Sequence, residues 1–238
     1  MNQTLNKPDR FFFGTRKLPC PYLDGHTERK VVTDLSGPNS ADLYERLSRA
    51  GFRRSHGLAY RPACPNCTAC VPVRINAERF ADSATFRRIR RANSDLVAAD
   101  MSALATAEQF RLFTRYQHLR HNGGDMSSMS YDDYRALIED TPVETRLIEY
   151  RDASGVLVAA MLADRMADSL SAVYSFFDPD CANRSVGTYM ILWLVDHARK
   201  LGLRYIYLGY WIEGSPKMSY KERFRPLERL GPDGWSAE

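Results

Sequence analysis

Apolar positions in the second half of the chain follow two periods, and these lay out its elements. From Thr106 the period is helical. Phe110, Phe113 and Leu119 mark the apolar positions, and Thr106-x-x-Gln109 reads as a capping box. A shorter helical pattern runs over residues 131–138. Three strand-like runs follow at 145–150, 156–163 and 170–177, with Asp152-Ala-Ser-Gly155 as a hairpin-type turn between the first two. A helix is expected over 186–201, closed by Gly202, and then a strand over 204–208 that breaks at Gly209. Three meander strands, one crossover helix and a further strand predict a mixed sheet of α/β type.

The first part is less regular. Ser40 is placed to cap a helix carrying Leu43, Leu47 and Ala50, with Gly51 closing it. Residues 52–62 and 71–75 read as extended, and Arg87-Arg-Ile-Arg-Arg91 falls in a short helix or a linker. Two units are expected: a smaller α+β domain over 1–95 and a larger α/β domain over 96–238.

Composition adds compartment and charge. The 238 residues are 44% hydrophobic and 26% charged, as in ordinary globular proteins. No apolar run approaches the roughly 20 residues of a membrane span. The opening M-N-Q-T-L-N-K-P-D-R lacks the apolar core of a secretory signal. Five cysteines, three of them within seven residues, make a poor disulfide framework and point to reduced thiols in a cytoplasm. The net charge of +4 is uneven, because residues 1–100 carry a surplus of 7 positive charges and the remainder a deficit of 3. A basic half suits a polyanion such as RNA, or is a solvated face.

Residues 207–226 are the most informative chemically. A connecting loop needs Gly, Asn, Asp or Ser. This one interleaves Trp211, Tyr220 and Phe224 with Lys217, Lys221, Arg223 and Arg225. Aromatics alternating with cations suit a ligand with bases, phosphates or carboxylates. Glu213, beside Gly214 at a strand end, sits where catalytic side chains tend to project. Arg53 and Arg54 precede Tyr60-Arg61-Pro62, and strand alternation sends the two arginines to opposite faces. His118, Arg120 and His121 close the helix that starts at Thr106, where cations are ordinary. Cys64-Pro-Asn-Cys67-Thr-Ala-Cys70, with Cys20 upstream, supplies four thiols at metal-ligand spacing. A zinc ion, an iron–sulfur cluster, a redox switch and packed thiols all remain open readings.

Arg184-Ser-Val-Gly187-Thr-Tyr189, between a strand and a helix start, resembles the pyrophosphate loop R/Q-x-x-G-x-G/A of GNAT acyltransferases. It matches at Arg184 and Gly187 and departs at Tyr189. A phenol crowds a pyrophosphate but can stack on a base, which favours an adenosine-ended ligand other than acetyl-CoA. The alternative is that Tyr189 is packed. The element order resembles the GNAT fold as well.

Larger motifs resemble the arginyl-tRNA–protein transferase family, and most of all its bacterial branch. Its C-terminal motif stands here as Tyr210-Trp-Ile212-Glu-Gly-Ser-Pro216-Lys217-Met218-Ser-Tyr220-Lys221. Arg53-Arg54-Ser55-His-Gly57-Leu-Ala-Tyr60-Arg61-Pro62, Arg115-Tyr116-Gln117 and Phe176-Phe177-Asp178-Pro179-Asp180 are similar to three further family elements, and the likeness spans roughly residues 16–230. It implies a GNAT-like fold and passage of leucine from leucyl-tRNA to the α-amine of proteins with an N-terminal Asp or Glu, marking them for N-end rule degradation. No cofactor is required for such a reaction. Arginyl-tRNA is the other donor in the family.

On that reading Glu213, Tyr220 and Lys217 are the expected catalytic residues. Lys221, Arg53, Arg54, Tyr60, Arg184 and Gly187 are expected to bind the acidic chain start or the tRNA end, with Tyr189, Tyr210 and Trp211 stacking on the terminal adenosine. A small-molecule acetyltransferase and a non-enzymatic zinc-knuckle RNA-binding protein are the rival readings.

Overall fold

A computed structural model describes residues 11–120 and 124–237; His121 lies outside them. The elements in chain order are β1 (Phe13–Gly14), β2 (Leu18–Pro19), β3 (Thr27–Glu28), β4 (Lys30–Asp34), α1 (Ser40–Arg49), β5 (Arg53–Ser55), β6 (Leu58–Pro62), β7 (Cys70–Asn76) and α2 (Ala84–Ala92). Then come β8 (Val97–Ser102), α3 (Ala107–Arg120), α4 (Tyr131–Glu139), β9 (Thr145–Arg151), β10 (Leu157–Arg165), β11 (Ser169–Phe177), α5 (Val186–Lys200), β12 (Tyr205–Ile212), β13 (Leu227–Gly231) and β14 (Gly234–Ala237). Short 3-10 turns cover Pro179–Arg184 and Ser219–Arg223.

The expected meander and crossover are present. β9, β10 and β11 pair antiparallel, and α5 returns the chain so that β12 runs parallel to β11. The central sheet has the order β14-β13-β7-β12-β11-β10-β9-β8. β10 is buried from Leu157 to Asp164 because both faces are covered. Ala159, Met161 and Ala163 join a core with α2 and α5, whereas Ala160 and Leu162 join one with α3 and α4. A strand covered on both sides reads as a continuous apolar run rather than an alternating one.

The sequence cues at the ends of the helices are used. Thr106 and Gln109 exchange side chain-to-amide bonds at 2.9 and 3.2 Å. Gly202 follows α5 with φ +69°. The basic stretch at 87–91 is helical, capped by Ser83, with Phe86 and Ile89 buried. At α1 the position outside the helix is taken by Asn39, and the Ser40 hydroxyl bonds the Pro142 carbonyl instead.

β7, from the first part of the chain, inserts between β12 and β13, so the central sheet draws on both parts. One expectation is corrected: β12 does not break at Gly209. Its register with β7 shifts between Tyr207 and Gly209, and the strand continues as a bulge to Ile212. Gly209 adopts φ +77°, which a glycine does at little steric cost.

A second, four-stranded sheet (order β1-β4-β6-β5) packs beside the first. Leu35, Leu43, Tyr44, Leu47 and Ala59 form a shared core with Tyr207 of β12. Arg54 pins the two sheets together. Its Nε and Nη2 donate to Asp164 Oδ2 and Oδ1 at 2.8 and 2.7 Å, and side-chain exposure is 1% and 0%. A buried pair of this kind is costly to break from one side, because the surviving charge is left without a counter-charge. Arg54→Ala is therefore expected to destabilise the fold by about 3–5 kcal/mol in urea unfolding, and Arg54→Ala/Asp164→Ala by less than Asp164 stranded alone.

Candidate active site

The site begins where the central sheet comes apart. β11 and β12 pair only from Ser169–Tyr205 to Ser171–Tyr207, after which β11 runs on to Phe177 and β12 to Ile212 without pairing to each other. Backbone groups facing such a fork lose their ladder partners and need others. Arg53 supplies them on one side, its Nη2 donating to the carbonyls of Ala172 at 2.8 Å and Val173 at 3.1 Å. Lys221 supplies them on the other, its Nζ donating to the Tyr210 carbonyl at 2.5 Å and lying 3.3 Å from Met218 Sδ. A small cavity at the fork is lined by Arg53, Ser171, Gly209 and Tyr210.

Gly209 makes room for the first of these cations. A Cβ there would lie 1.6 Å from Arg53 Nη1, so glycine is required for close approach as well as for its positive φ. The bulge thus turns a strand into a seat for a guanidinium from the other sheet.

Burial first, and the charge of Arg53 second, lower the Lys221 amine to about 7, and its residue is only 4% exposed. Burial also works against the Arg53 charge, but Tyr60, Tyr44, Tyr210 and Tyr220 around it outweigh this and raise its pKa. An arginine stays charged in either case. Burial raises the Tyr220 hydroxyl, so it stays protonated at neutral pH. Burial and then Tyr60 push Tyr22 up to about 12. Across the fork, Gln117 Nε2 donates to Tyr174 Oη at 2.5 Å, and the Tyr116 ring lies 5.1 Å from that of Phe177. Arg115 ties α3 to the turn after β11, with 3.0 Å to Asp178 and 2.5 Å to Asp180.

The expected residues fall into three groups. Arg53, Tyr60, Tyr210, Tyr220 and Lys221 are brought together. Glu213 and Lys217 are exposed on the turn after β12, and Glu213 and Trp211 border a separate surface hollow with Glu222 and Arg229. The remaining residues are engaged elsewhere. Arg54 is locked to Asp164. Arg184 bonds the Ala92 carbonyl and Asp95, so the loop it begins does not present it to a ligand. Gly187 sits in the first turn of α5, where a Cβ would lie 3.4 Å from the Phe177 ring.

The proposed adenosine stackers are also corrected. Tyr189 is 9% exposed and packs edge-on to Tyr150 with centroids 6.0 Å apart. The Tyr210 hydroxyl donates to the carbonyls of Gly51 at 2.9 Å and Tyr60 at 3.2 Å, which fixes its ring inside. The Trp211 ring packs against the core and carries the Arg229 guanidinium 4.3 Å from its centroid. Tyr189 and Tyr210 are thus buried, whereas Trp211 is half-buried at the edge of the surface hollow. Tyr22, Tyr116 and Tyr174 were missed as site residues; the Arg115-Tyr116-Gln117 element was the one available signal.

The cysteines were tested as a metal site. Burial, then the nearby Cys64, Cys20 and Cys67 thiols, push Cys70 up to about 12. Among the described residues, no three or more Cys, His, Asp or Glu are arranged to hold a metal ion. Cys64 Sγ instead accepts from the Arg29 amide at 3.4 Å and donates to its carbonyl at 3.5 Å. Among the described residues, no helix is long and apolar enough to cross a membrane.

The mixed sheet, with a parallel pair that forks beside a crossover helix, has the GNAT-like arrangement expected from the element order. Family models described as arginine-tRNA-protein transferase, N terminus and C terminus, match residues 18–88 and 108–231. The chain belongs to the arginine-tRNA-protein transferase family. It is 59% identical over 229 residues to a protein of Paramagnetospirillum magneticum named aspartate/glutamate leucyltransferase, covering 96% of this chain and 94% of that one. A protein of Rhodospirillum rubrum with the same name is 56% identical over 234 residues, at 98% and 95% coverage. Among solved structures, FemX aligns with TM-score 0.48 at 7% identity over 80% of this chain and 65% of its own. The L-PGS of Bacillus licheniformis aligns with TM-score 0.45 at 10% identity, over 76% and 52%.

Two outcomes test this description. Gly209→Ala is expected to cost about 1–3 kcal/mol of stability and to expel Arg53 from the fork; unfolding and transfer assays read the two effects. Lys221 is held below its ordinary 10.5, so its contribution to stability is full above that value and is lost as pH falls through about 7. Unfolding free energy of the wild type should rise between pH 7 and 10, and Lys221→Met should flatten that rise.

Proposed function

We propose that this protein transfers leucine from leucyl-tRNA to the α-amine of proteins beginning with Asp or Glu, in the cytoplasm, and so marks them for N-end rule degradation. The observation that carries the reading is the Arg53 guanidinium and the neighbouring Lys221 amine seated on the open backbone of the forked strands. Membership of the family and the names of the relatives support the same acceptor and donor.

The donor is an ester, already activated, so the protein needs positioning, charge stabilisation and a proton route more than a nucleophile. An acceptor arrives with a carboxylate and an α-ammonium that titrates near 7.7–8.0. The carboxylate pairs with Arg53 and raises the affinity of Lys221 for a proton. Lys221 then takes the proton of the α-ammonium, which leaves a neutral amine and a lysinium that completes the carboxylate's partners. An acidic first residue therefore helps make its own nucleophile. The amine attacks the ester carbonyl. As the carbon–oxygen bond breaks, the ribose oxygen takes a proton from the Tyr220 hydroxyl, which the second amine proton replaces. Glu213, expected as an alternative proton carrier, projects into solvent away from the fork.

Labelled leucine from leucyl-tRNA should appear on peptides starting with Asp or Glu and scarcely on Asn or Gln peptides. Arg53→Ala should lower kcat/KM for the Asp peptide about 10- to 150-fold, the range of one charged hydrogen bond. Parallel assays with arginyl-tRNA and acetyl-CoA identify the donor. Transfer from arginyl-tRNA alone would overturn the donor assigned here, and equal use of Asp and Asn peptides would overturn the role of the two cations.

A further inference from the structure

Tyr189 and Tyr210 are buried and the Trp211 ring carries the Arg229 guanidinium, so other aromatic surfaces bear on where the bases at the donor's end rest. The register of the four-stranded sheet leads to it. Phe13 pairs with Val32, Val32 with Tyr60, and Tyr60 with Arg53. Residues directly opposite in antiparallel strands point to the same face, so one row of side chains runs from Phe13 at the outer strand to Arg53 in the fork. Lys30, two before Val32, and Leu58, two before Tyr60, share that face, and the Phe11 ring, just ahead of the strand, lies beside that of Phe13.

Much of the outer part of this face is open. Phe11 is 68% exposed, Phe13 60% and Leu58 45%. The Phe11 and Phe13 rings have centroids 6.3 Å apart and planes 33° apart, so they lie against each other and leave their outer faces open. Lys30 Nζ sits 5.4 Å from the Tyr60 centroid and 2.9 Å from Glu28. The opposite face of the same strands is buried at Thr33, Ala59 and Arg54, and the exposed Phe12 next to Phe13 lies against Phe52, away from the row that leads to Arg53. Two exposed phenylalanines at the outer edge of this sheet, in the half of the chain with a surplus of 7 positive charges, make a stacking surface for single-stranded nucleic acid.

We propose that this face is the platform for the single-stranded 3′ end of the donor tRNA, its bases stacking on Phe11 and Phe13 while the esterified terminus reaches the fork past Tyr60 and Arg53. The inference rests on the donor reading above. Its two supports are the continuity of the row with the fork and the open aromatic rings at the end of that row.

The test is Phe11→Ala/Phe13→Ala, with Phe11→Trp/Phe13→Trp as the variant that keeps the rings. Binding of deacylated tRNA and of a short single-stranded RNA is measured by fluorescence anisotropy, and KM for leucyl-tRNA and for an Asp-starting peptide by transfer. The alanine variant should weaken both RNA affinities and raise the leucyl-tRNA KM by about tenfold or more, the effect of a lost base–aromatic stack. Peptide KM should stay within about twofold, and the tryptophan variant should restore RNA binding. RNA affinity within twofold of wild type overturns the platform, as does a rise confined to the peptide KM, which would assign the face to the polypeptide. Should the wild type bind RNA through these rings yet transfer no leucine, the donor reading fails while the platform stands.

Discussion

The fork between β11 and β12 depends on the guanidinium of Arg53. Two parallel strands that separate inside a covered sheet leave carbonyls without ladder partners, and an unpaired buried carbonyl costs about 1–3 kcal/mol. Arg53 holds two of them on β11, and Lys221 one on β12. The opening is stable because charged donors, rather than a neighbouring strand, satisfy it. Gly209 follows from the same requirement, since its missing side chain is the space that Arg53 occupies. The Arg54–Asp164 pair on the other face of β5 keeps the supporting hairpin in register.

That arrangement also decides what the opening favours. Taking a cation out of water is costly, and here the cost is met on folding rather than on binding. A guanidinium beside an amine whose proton affinity it lowers lacks a full counter-charge, so a carboxylate placed between them, which also draws a proton onto the amine, gains more than a neutral amide of the same shape. A like-charged side chain would be repelled, and an apolar one would leave the cations as they were. Discrimination thus comes from the empty state being electrostatically incomplete.

The architecture was largely legible. The meander, the crossover helix, the capping box at Thr106 and the stop at Gly202 were all read from local pattern, because each is set by residues near in sequence. The insertion of β7 between β12 and β13 was not. Nothing in Cys70–Asn76 encodes a partner more than 130 residues away, and a bulge at Gly209 looks like a strand end until its register partner is known. The site divided along the same line. Motif likeness singled out Arg53, Tyr220 and Lys221, but it grouped them with Arg54, Tyr189 and Arg184, whose partners are internal. Adjacent arginines look alike in sequence, and only alternation separates them. A tyrosine at a helix start gives no sign of whether its ring faces a ligand or Tyr150. Phe11 and Phe13 carry no motif in the sequence, and only the register that joins Phe13 to the row ending at Arg53 gives them a place.

The two parts of the chain are accordingly not a binding module beside a catalytic one. Arg53 comes from the first part and Lys221 from the second, and the backbone they share belongs to strands of the second part. β7, drawn from the first part, is the strand that holds β12 in its bulged course. Neither part contains a site by itself, because the carbonyls without the guanidinium are unpaired and the guanidinium without the carbonyls is an exposed charge. Cooperation between the parts is a requirement of hydrogen bonding at one fork. A substitution that loosens the packing of Leu43, Leu47 and Tyr207 between the sheets should therefore act on substrate selection as well as on stability, since it moves Arg53 relative to the strands it satisfies.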